Sequence, residues 1–447
     1  MVKTRSTATG PGDVRAKLAG HILADGFDLV FDLGRSEGSY LYDSSHGVSF
    51  LDFFSFFATN PVGHNHPRMR DESFRRKLAD VAIHNPSNSD IYTVEMADFV
   101  ETFAREAIPE HLPHLFMVAG GSVGVENALK AAFDWKVRKN LARGAQGVLG
   151  QQIIHFEQAF HGRTGYALSM TNTADRRKID YFPKFSWPRI VNPKIRFPRT
   201  EENEKAVVET ERKAVEQIEK ALLENKDDIA ALIIEPIQGE GGDNHFRKEF
   251  FQQIRALADE NEFLFIVDEV QTGVGLTGRM WAYQHFDVLP DVLCFGKKTQ
   301  VCGMLASRRL DEVERNVFVE SARINSTWGG NLTDMVRFQR YLEIISEERL
   351  VDRARETGDY LRAQLESMQQ EFPRLVTNAR GRGLMCAFDL PDGATRDRFR
   401  QEAFARRMLI LACGISSIRF RPSLNVTRED VDKGMDITRE CLRALAS

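Results

Sequence analysis

The hydrophobic residues of this chain form short unbroken runs that alternate with stretches of helical periodicity. An apolar run without alternation indicates a strand that is buried on both faces, as in a parallel sheet. Strands that alternate with helices predict an α/β layer architecture. The predicted strands span residues 116–118, 153–156, 230–234, 263–267 and 292–295, and the predicted helix after the first strand spans 123–140.

The two ends of the chain have a different pattern. Residues 38–57 alternate and are rich in aromatic side chains, which is typical of a β-hairpin in a small domain. Residues 171–200 contain four prolines and little periodicity, which predicts an extended excursion over the surface. The other predicted elements are an amphipathic helix at 201–226, helical structure from 333, strands at 383–390 and 408–411, and a closing helix at 428–445. The C-terminal part is therefore expected to form a separate α+β lobe.

Composition narrows the classes of partner. A formal charge of −4 over 447 residues provides no basic surface for nucleic acid and no polybasic patch for a membrane. No apolar stretch approaches the roughly 20 residues of a membrane-spanning helix, and the first residues lack the apolar core of a signal peptide. The five cysteines are widely spaced and odd in number, which argues against a disulfide framework or a zinc site. We therefore expect a soluble, cytoplasmic protein with a frayed N-terminus and a small-molecule partner.

Two charged residues stand directly beyond predicted strands. Asp268 follows the run 263–267, and Lys297 follows the run 292–295 and one glycine. In an open α/β sheet the carboxyl ends of the strands present the ligand site, so the acid and the amine are expected at one edge. Pyridoxal phosphate uses both groups, because its aldehyde forms a Schiff base with a lysine and its pyridine nitrogen pairs with an anion. A pyridoxal-phosphate enzyme is therefore the leading hypothesis.

Each of these residues has a plainer interpretation. Asp268 and the glutamate after it also resemble the magnesium-binding strand of nucleotide-hydrolysing α/β proteins, although the chain has no phosphate loop. Lys297 could be half of a solvated basic pair with Lys298, which is the fallback anchor. His64 and His66 are two residues apart in a loop of glycine and proline without clear further ligands, so no metal site is expected.

A phosphate site and a stacking residue are also predicted. Gly121 and Ser122 lie in a glycine-rich turn between a strand and a strong helix former, where free N–H groups and the helix dipole suit a phosphate. An ordinary strand-to-helix turn is an equal alternative. Phe160 follows the strand 153–156 and is suited to stack on a pyridine ring, with a core phenylalanine as the alternative.

Together these residues resemble the class III (ω-amino acid) aminotransferases of pyridoxal-phosphate fold type I, over nearly the whole chain. Residues 290–297, Pro-Asp-Val-Leu-Cys-Phe-Gly-Lys, match that family's cofactor-lysine signature. The resemblance implies a large mixed-sheet α/β domain at 66–334 and a smaller α+β domain built from 1–65 and 335–447. It implies pyridoxal 5'-phosphate as cofactor, no metal, and an obligate homodimer with active sites at the interface. The cofactor-binding residues that it implies are Gly121, Ser122, Phe160, Asp268, Gln271, Lys297 and Thr327, with Thr327 reaching the phosphate held by the neighbouring subunit.

Four further stretches are more similar to class members that act on the ε-amine of L-lysine than to ornithine or 4-aminobutyrate transaminases. They span residues 85–90, 236–243, 296–303 and 380–388. The resemblance then implies a ping-pong transfer of the ε-amino group of L-lysine to 2-oxoglutarate. The products would be L-glutamate and 2-aminoadipate 6-semialdehyde, which cyclises to an imine. Ornithine and 4-aminobutyrate transaminases stay open as alternatives, and so do a nucleotide-hydrolysing protein and a cofactor-free interaction protein.

The two substrates set an electrostatic problem, because the reacting carbon of lysine carries no carboxylate whereas that of glutamate does. Arg419 matches the family's α-carboxylate arginine, and Glu240 matches the glutamate that pairs with it. Because an unpaired buried charge is costly, we expect Glu240 to neutralise Arg419 for lysine and to swing aside for 2-oxoglutarate. Arg163 is the candidate for the distal carboxylate, with a rim salt bridge as the alternative. Lys297, once free, is expected to act as the general base.

Overall fold

The structure, a computed structural model, describes residues 9–225 and 227–446. Within these ranges the α-helices are α1 (Val14–Ala19), α2 (Ser55–Ala58), α3 (Glu72–Ala82), α4 (Val94–Glu106), α5 (Gly121–Ala142), α6 (Gly165–Met170), α7 (Glu201–Glu224), α8 (Lys248–Glu260), α9 (Leu332–Glu347), α10 (Leu350–Glu371), α11 (Gly393–Ala405) and α12 (Arg428–Ala446). None of these helices is long and apolar enough to cross a membrane. Short 3-10 helices span Pro11–Asp13, Pro67–Met69, Arg176–Lys178, Ala282–His285, Lys297–Thr299 and Arg308–Glu312.

The strands that the structure describes are β1 (Tyr40–Asp43), β2 (Val48–Asp52), β3 (His114–Val118), β4 (Gln152–Phe156), β5 (Arg189–Ile190), β6 (Ile229–Ile234), β7 (Ile237–Gln238), β8 (Asn244–His245), β9 (Leu264–Asp268), β10 (Val292–Phe295), β11 (Cys302–Ala306), β12 (Thr377–Arg382), β13 (Met385–Asp389), β14 (Met408–Leu409), β15 (Leu411–Cys413) and β16 (Ser417–Phe420). A seven-stranded sheet has the order β3-β11-β10-β9-β6-β4-β5. Neighbouring strands from β10 to β5 pair in parallel, whereas β11 pairs antiparallel with both β10 and β3. The predicted α/β class with a mixed sheet is therefore confirmed.

Burial on both faces of this sheet explains the unbroken apolar runs. In β9, Phe265 and Val267 belong to one hydrophobic cluster, whereas Leu264 and Ile266 belong to a second cluster that includes residues of α5. Successive side chains of a strand point to opposite faces, so these two clusters lie on opposite sides of the sheet. A strand that is covered on both sides has no position that favours a polar side chain.

The two ends of the chain meet in a smaller sheet. β1 and β2 form the predicted antiparallel hairpin, and β14 from the C-terminal part adds to β2 in parallel. A separate four-stranded sheet, β12-β13-β16-β15, is antiparallel throughout. The domain boundaries at 65/66 and 334/335 stay a prediction.

Parts of the structure differ from the sequence-based expectation or lie outside the described residues. β11 was not predicted, because Gly303 interrupts its short apolar run and glycine is unfavourable inside a strand. The excursion at 171–200 is not extended throughout, since it contains the 3-10 helix Arg176–Lys178, and it adds the short strand β5 to the central sheet. The predicted end of α7 at Lys226 lies outside the described residues, as do residues 1–8 of the expected frayed start.

His64 and His66 make polar contacts within the described residues. His64 Nε2 lies 2.9 Å from Asp52 Oδ2, and His66 Nε2 lies 3.1 Å from Glu348 Oε1. Each histidine is thus matched to a carboxylate of its own, in keeping with the polar-contact interpretation of this loop.

Candidate active site

A cavity of about 350 Å³ lies where the parallel strands of the central sheet end. We call it the inner cavity, and eight of the predicted site residues line it: Gly121, Ser122, Phe160, Arg163, Glu240, Asp268, Gln271 and Lys297. Of the other two, Arg419 lines an adjoining cavity and Thr327 lies on the surface. Most of the predicted site residues therefore lie in one cavity, as their positions at the strand ends predict.

Asp268 and Lys297 reach the inner cavity from neighbouring strands. Asp268 is the last residue of β9, and Lys297 follows β10 after Gly296. The two strands are parallel, with Cys294 opposite Asp268, so both side chains leave the sheet at the same edge. Burial lowers the pKa of the Lys297 amine, and the charge of Asp268 acts against that shift. A larger share of neutral amine follows, which favours nucleophilic and base chemistry.

Lys298, the alternative anchor, is buried against the backbone. Its Nζ donates a hydrogen bond to the backbone oxygen of Gln271 over 2.8 Å. Burial holds the pKa of Lys298 well below its ordinary value. Because this amine already has a backbone partner, Lys297 is the lysine that the inner cavity offers to a ligand.

Asp268 is held by a histidine that the sequence analysis did not single out. His161 Nδ1 lies 2.7 Å from Asp268 Oδ2, and the backbone N–H of Val270 donates to Oδ1 over 3.0 Å. Both side chains of the Asp268–His161 pair are almost fully buried. His161 directly follows Phe160 in the sequence, and that adjacency is the signal that could have identified it. The two contacts fix the orientation of the carboxylate.

Glu235 is a second residue that the sequence analysis missed. It follows β6 directly, as Asp268 ends β9, so the same strand-end rule could have found it. Its carboxylate accepts hydrogen bonds from the backbone N–H of Phe160 over 2.9 Å and from that of Gly239 over 3.1 Å. Burial raises the pKa of Glu235 to about 7, and the charge of Asp268 adds to that rise. Glu235 thereby fixes the backbone that carries the aromatic ring of Phe160.

The start of α5 forms one end of the inner cavity. α5 begins at Gly121, and within the described chain no side chain caps its first turn. Its N–H groups are therefore available to an anion. Ser122 Oγ lies 2.6 Å from Thr164 Oγ1, which donates to Glu126 Oε1 over 2.6 Å. A helix N-terminus beside ordered hydroxyl groups is suited to a phosphate.

Gln271 links the inner cavity to two arginines. Its Oε1 accepts hydrogen bonds from Arg421 Nε and Nη2 over 3.1 and 3.0 Å, and from Arg419 Nη1 over 3.3 Å. Arg421 is neutralised by Asp243, and both side chains of that pair are fully buried. The carbonyl oxygen of Gln271 already accepts hydrogen bonds from both arginines. The part of this side chain that remains available to a ligand is its amide nitrogen, which is a donor.

An outer chamber of about 830 Å³ adjoins the inner cavity, and Glu240 lines both. Arg419, on β16, lines the outer chamber. Burial lowers the pKa of Arg419, and no acid of the described residues forms an ion pair with it. Glu240 instead accepts hydrogen bonds from Lys178 Nζ over 2.5 Å and from Thr173 Oγ1 over 2.7 Å. The direct pairing of Glu240 with Arg419 that the resemblance implies is absent from this conformation.

The last two predicted residues lie in exposed positions. Arg163 lines the inner cavity and is exposed, and within the described chain it forms no salt bridge, so the rim ion pair considered from the sequence is not present. Thr327 is exposed, and its backbone oxygen accepts a hydrogen bond from Ser87 Oγ over 2.6 Å. Thr327 does not line the inner cavity of its own chain.

The residues of the inner cavity fit pyridoxal phosphate. They combine an amine of lowered pKa, a buried and oriented carboxylate, and an uncapped helix N-terminus within one cavity. These are the groups that the aldehyde, the pyridine nitrogen and the phosphate of that cofactor require.

Comparison with known proteins agrees with this chemistry. A profile of the family described as aminotransferase class-III matches residues 24–442. The L-lysine-epsilon aminotransferase of Mycobacterium tuberculosis is 51% identical over 435 residues, which cover 97% of this chain and 96% of that protein. The protein of the same name from Streptomyces clavuligerus is 47% identical over 436 residues, covering 97% and 95%. The solved structure of lysine aminotransferase from M. tuberculosis in the internal aldimine form covers 98% of this chain and all of its own, with a TM-score of 0.95 and 50% identity. The chain therefore belongs to the class-III aminotransferases, a family that works with pyridoxal 5'-phosphate.

Proposed function

We propose that this protein transfers the ε-amino group of L-lysine to 2-oxoglutarate, with 2-aminoadipate 6-semialdehyde and L-glutamate as products. The observation that carries the proposal is the position of Glu240, which lines both the cavity of Lys297 and the chamber of Arg419. A movable acid needs that position when only one of two substrates has a carboxylate at its reacting carbon. The similarity to two proteins named L-lysine-epsilon aminotransferase supports the same donor.

Three residues would act on the ring of the cofactor. When bound, pyridoxal phosphate supplies an electron sink for the carbon that bears the transferred amine. Lys297 Nζ anchors the cofactor and, once free, moves the proton at that carbon. Asp268 supplies negative charge to the pyridine nitrogen, and Gln271 donates its amide to the ring hydroxyl. The lowered pKa of Lys297 supports its role, because a base must be neutral to accept a proton.

The phosphate and the ring face would be held by three more residues. Gly121 and Ser122 offer the N–H groups at the start of α5 to the phosphate. Phe160 covers one face of the ring, with its backbone fixed by Glu235 over 2.9 Å.

The substrate carboxylates would be bound by two arginines at different distances from Lys297. Arg163 binds the distal carboxylate, which is the α-carboxylate of lysine or the γ-carboxylate of glutamate. Arg419 binds the carboxylate on the reacting carbon of glutamate or 2-oxoglutarate as a bidentate pair. Glu240 neutralises Arg419 when lysine is bound, because that substrate leaves the arginine without an anion.

The active enzyme would be a homodimer of the cytoplasm. Thr327 is exposed outside the inner cavity of its own chain, so it is available to the phosphate of a neighbouring subunit. Large apolar side chains near Thr327 are exposed: Trp328 is 51%, Ile91 is 64% and Tyr92 is 75% exposed. An exposed apolar surface of this kind supports an interface that a second subunit covers. The contact between Ser87 and Thr327 joins both stretches into one surface.

The test is an absorbance spectrum of the purified protein, followed by addition of L-lysine without a keto acid. We expect a visible band from the Lys297-linked cofactor that bleaches with lysine and returns with 2-oxoglutarate, but does not bleach with ornithine or 4-aminobutyrate. A band that bleaches only with another ω-amine would keep the class and overturn the donor. No band after reconstitution with pyridoxal phosphate would overturn the role of Lys297.

A further inference from the structure

The carboxylate of Glu240 is paired with a lysine and not with an arginine among the described residues. Its Oε1 accepts hydrogen bonds from Lys178 Nζ over 2.5 Å and from Thr173 Oγ1 over 2.7 Å. The side chains of Glu240 and Lys178 are only 17% and 24% exposed, so this ion pair is largely shielded from water. Its Oε2 is buried and has no hydrogen-bond partner among the described residues. Half of the carboxylate is thus free to take a different partner.

Arg419 is left with unused donors in the same conformation. Its side chain is buried, and its Nε has no hydrogen-bond partner within the described part of the chain. Among the described residues, the one hydrogen bond of its guanidinium is that to Gln271 Oε1 over 3.3 Å. An incoming carboxylate would find this guanidinium unblocked, which is the state that a dicarboxylate substrate requires.

We propose that Lys178, assisted by Thr173, is the positioning residue that holds Glu240 away from Arg419 while 2-oxoglutarate or glutamate is bound. Lys178 then determines the affinity for the dicarboxylate substrate without touching it. This inference rests on the proposed function, because it assigns partners to Glu240 in the second of the two positions between which this residue is proposed to alternate.

The physical reason is the cost of an unpaired charge. When Glu240 leaves Arg419, its carboxylate stays in a poorly solvated place and needs a new cation. Lys178 supplies that cation, and Thr173 supplies a hydroxyl donor to the same oxygen. The arginine meanwhile pairs with the substrate, so neither Glu240 nor Arg419 is left without a partner in either half-reaction.

The surroundings of Lys178 support this assignment. Lys178 is the last residue of the 3-10 helix Arg176–Lys178, and its other acidic neighbour, Asp175, lies 3.9 Å away. Asp175 already pairs with Arg177 over 2.8 Å. Glu240 is therefore the principal partner of the Lys178 ammonium in this structure.

The experiment compares the two half-reactions of Lys178→Met holoenzyme by stopped-flow absorbance, together with equilibrium binding of glutarate as an unreactive dicarboxylate. Without Lys178, a dicarboxylate must displace Glu240 from Arg419 with no compensating cation. A hydrogen bond between charged groups is stronger than one between neutral groups. We therefore expect the dissociation constants of glutarate and 2-oxoglutarate to rise at least about tenfold, or about 1.4 kcal/mol. The lysine half-reaction should stay within about twofold, because Glu240 then remains on Arg419.

Three further variants separate this role from a structural one. Arg176→Met removes a neighbouring charge whose partner is Asp180, and it should leave glutarate binding unchanged. Lys178→Arg should restore most of the lost affinity. In a Glu240→Ala background, Lys178→Met should have no further effect, since Lys178 acts through Glu240.

Several results would overturn the inference. Unchanged glutarate affinity in Lys178→Met, equal losses in both half-reactions, or a full effect in the Glu240→Ala background would each remove Lys178 from this role. The last of these would instead make Lys178 a direct ligand of the dicarboxylate. If the unaltered protein turned over neither lysine nor 2-oxoglutarate, the proposed function would fall, and this inference with it.

Discussion

Replacing His161 with phenylalanine tests whether the buried Asp268–His161 pair organises the cofactor site. The substitution keeps a ring of similar shape and removes the nitrogen that lies 2.7 Å from Asp268 Oδ2. The carboxylate then keeps one of its two hydrogen bonds, that from the backbone N–H of Val270. A hydrogen bond to a charged group contributes roughly 1.5–3 kcal/mol, which corresponds to roughly 10- to 150-fold in an equilibrium constant.

We expect His161→Phe to weaken the binding of pyridoxal phosphate by about tenfold or more, because the carboxylate is no longer oriented when the pyridine nitrogen arrives. The assay is titration of cofactor-free protein with pyridoxal phosphate, followed by absorbance. His161→Asn is the rescue variant, since its amide nitrogen can replace the lost donor. His245→Phe is the matched control, because His245 is equally buried, lies on β8 and has an unpartnered Nε2 within the described chain. A change of less than about threefold, or an equal loss in His245→Phe, would refute the reasoning.

Three more predictions follow from particular contacts. Arg163→Ala should raise the KM for lysine at least about tenfold with a smaller change in kcat, because a carboxylate loses its cation; a preserved KM would count against the role. Burial raises the pKa of Glu269 to about 7, so the folded state keeps a proton that the unfolded state has released between about pH 4.5 and 7. Glu269 therefore stabilises the fold below that window, and this contribution is lost as the pH rises through 7. In denaturant titrations across the window, the free energy of unfolding of Glu269→Gln relative to that of the natural protein should increase by up to about 1.4 kcal/mol per pH unit. A difference that does not vary with pH would contradict this. Homodimers of Thr327→Val and of Lys297→Ala should both be nearly inactive. Mixed dimers of the two variants should regain activity, because one of their sites combines natural Lys297 from one subunit with natural Thr327 from the other. No recovery in the mixed dimers would contradict a shared site.

The strand-end residues could be predicted from the sequence because two simple rules act together. An unbroken apolar run identifies a strand buried on both faces, and parallel strands end at one edge of the sheet. Asp268 and Lys297 satisfy both rules, and the parallel register of β9 and β10 brings them into one cavity. Glu235 satisfies the same rules after β6, so its absence from the prediction is a missed application and not a limit of the sequence.

The partners of these residues could not be predicted, since they come from distant parts of the chain. His161 and Asp268 are 107 residues apart, and Arg421 and Asp243 are 178 residues apart. No periodicity relates such pairs. The first contact depends on the order of the strands within the central sheet, and the second depends on how the segment after β16 packs against the residues between β7 and β8. The occupied carbonyl oxygen of Gln271, which decides what its amide can donate, is visible only after that packing is known.

The backbone around Glu240 would confine the proposed motion of this acid to its side chain. A Cβ atom at Gly239 would lie 2.2 Å from Gln271 Oε1, and one at Gly241 would lie 2.1 Å from the backbone oxygen of Gln158, so the chain is closely packed on both sides of Glu240. The backbone oxygen of Glu240 also accepts a hydrogen bond from the N–H of Gly414 over 2.8 Å. The backbone at Glu240 is fixed by these contacts, whereas Oε2 of its carboxylate has no hydrogen-bond partner among the described residues. Only the side-chain torsions of Glu240 would therefore need to change when the substrate changes. In the proposed mechanism, the choice between the two substrates depends on the competition of Lys178 and Arg419 for the carboxylate of Glu240, so removing the charge at position 178 should be enough to shift it.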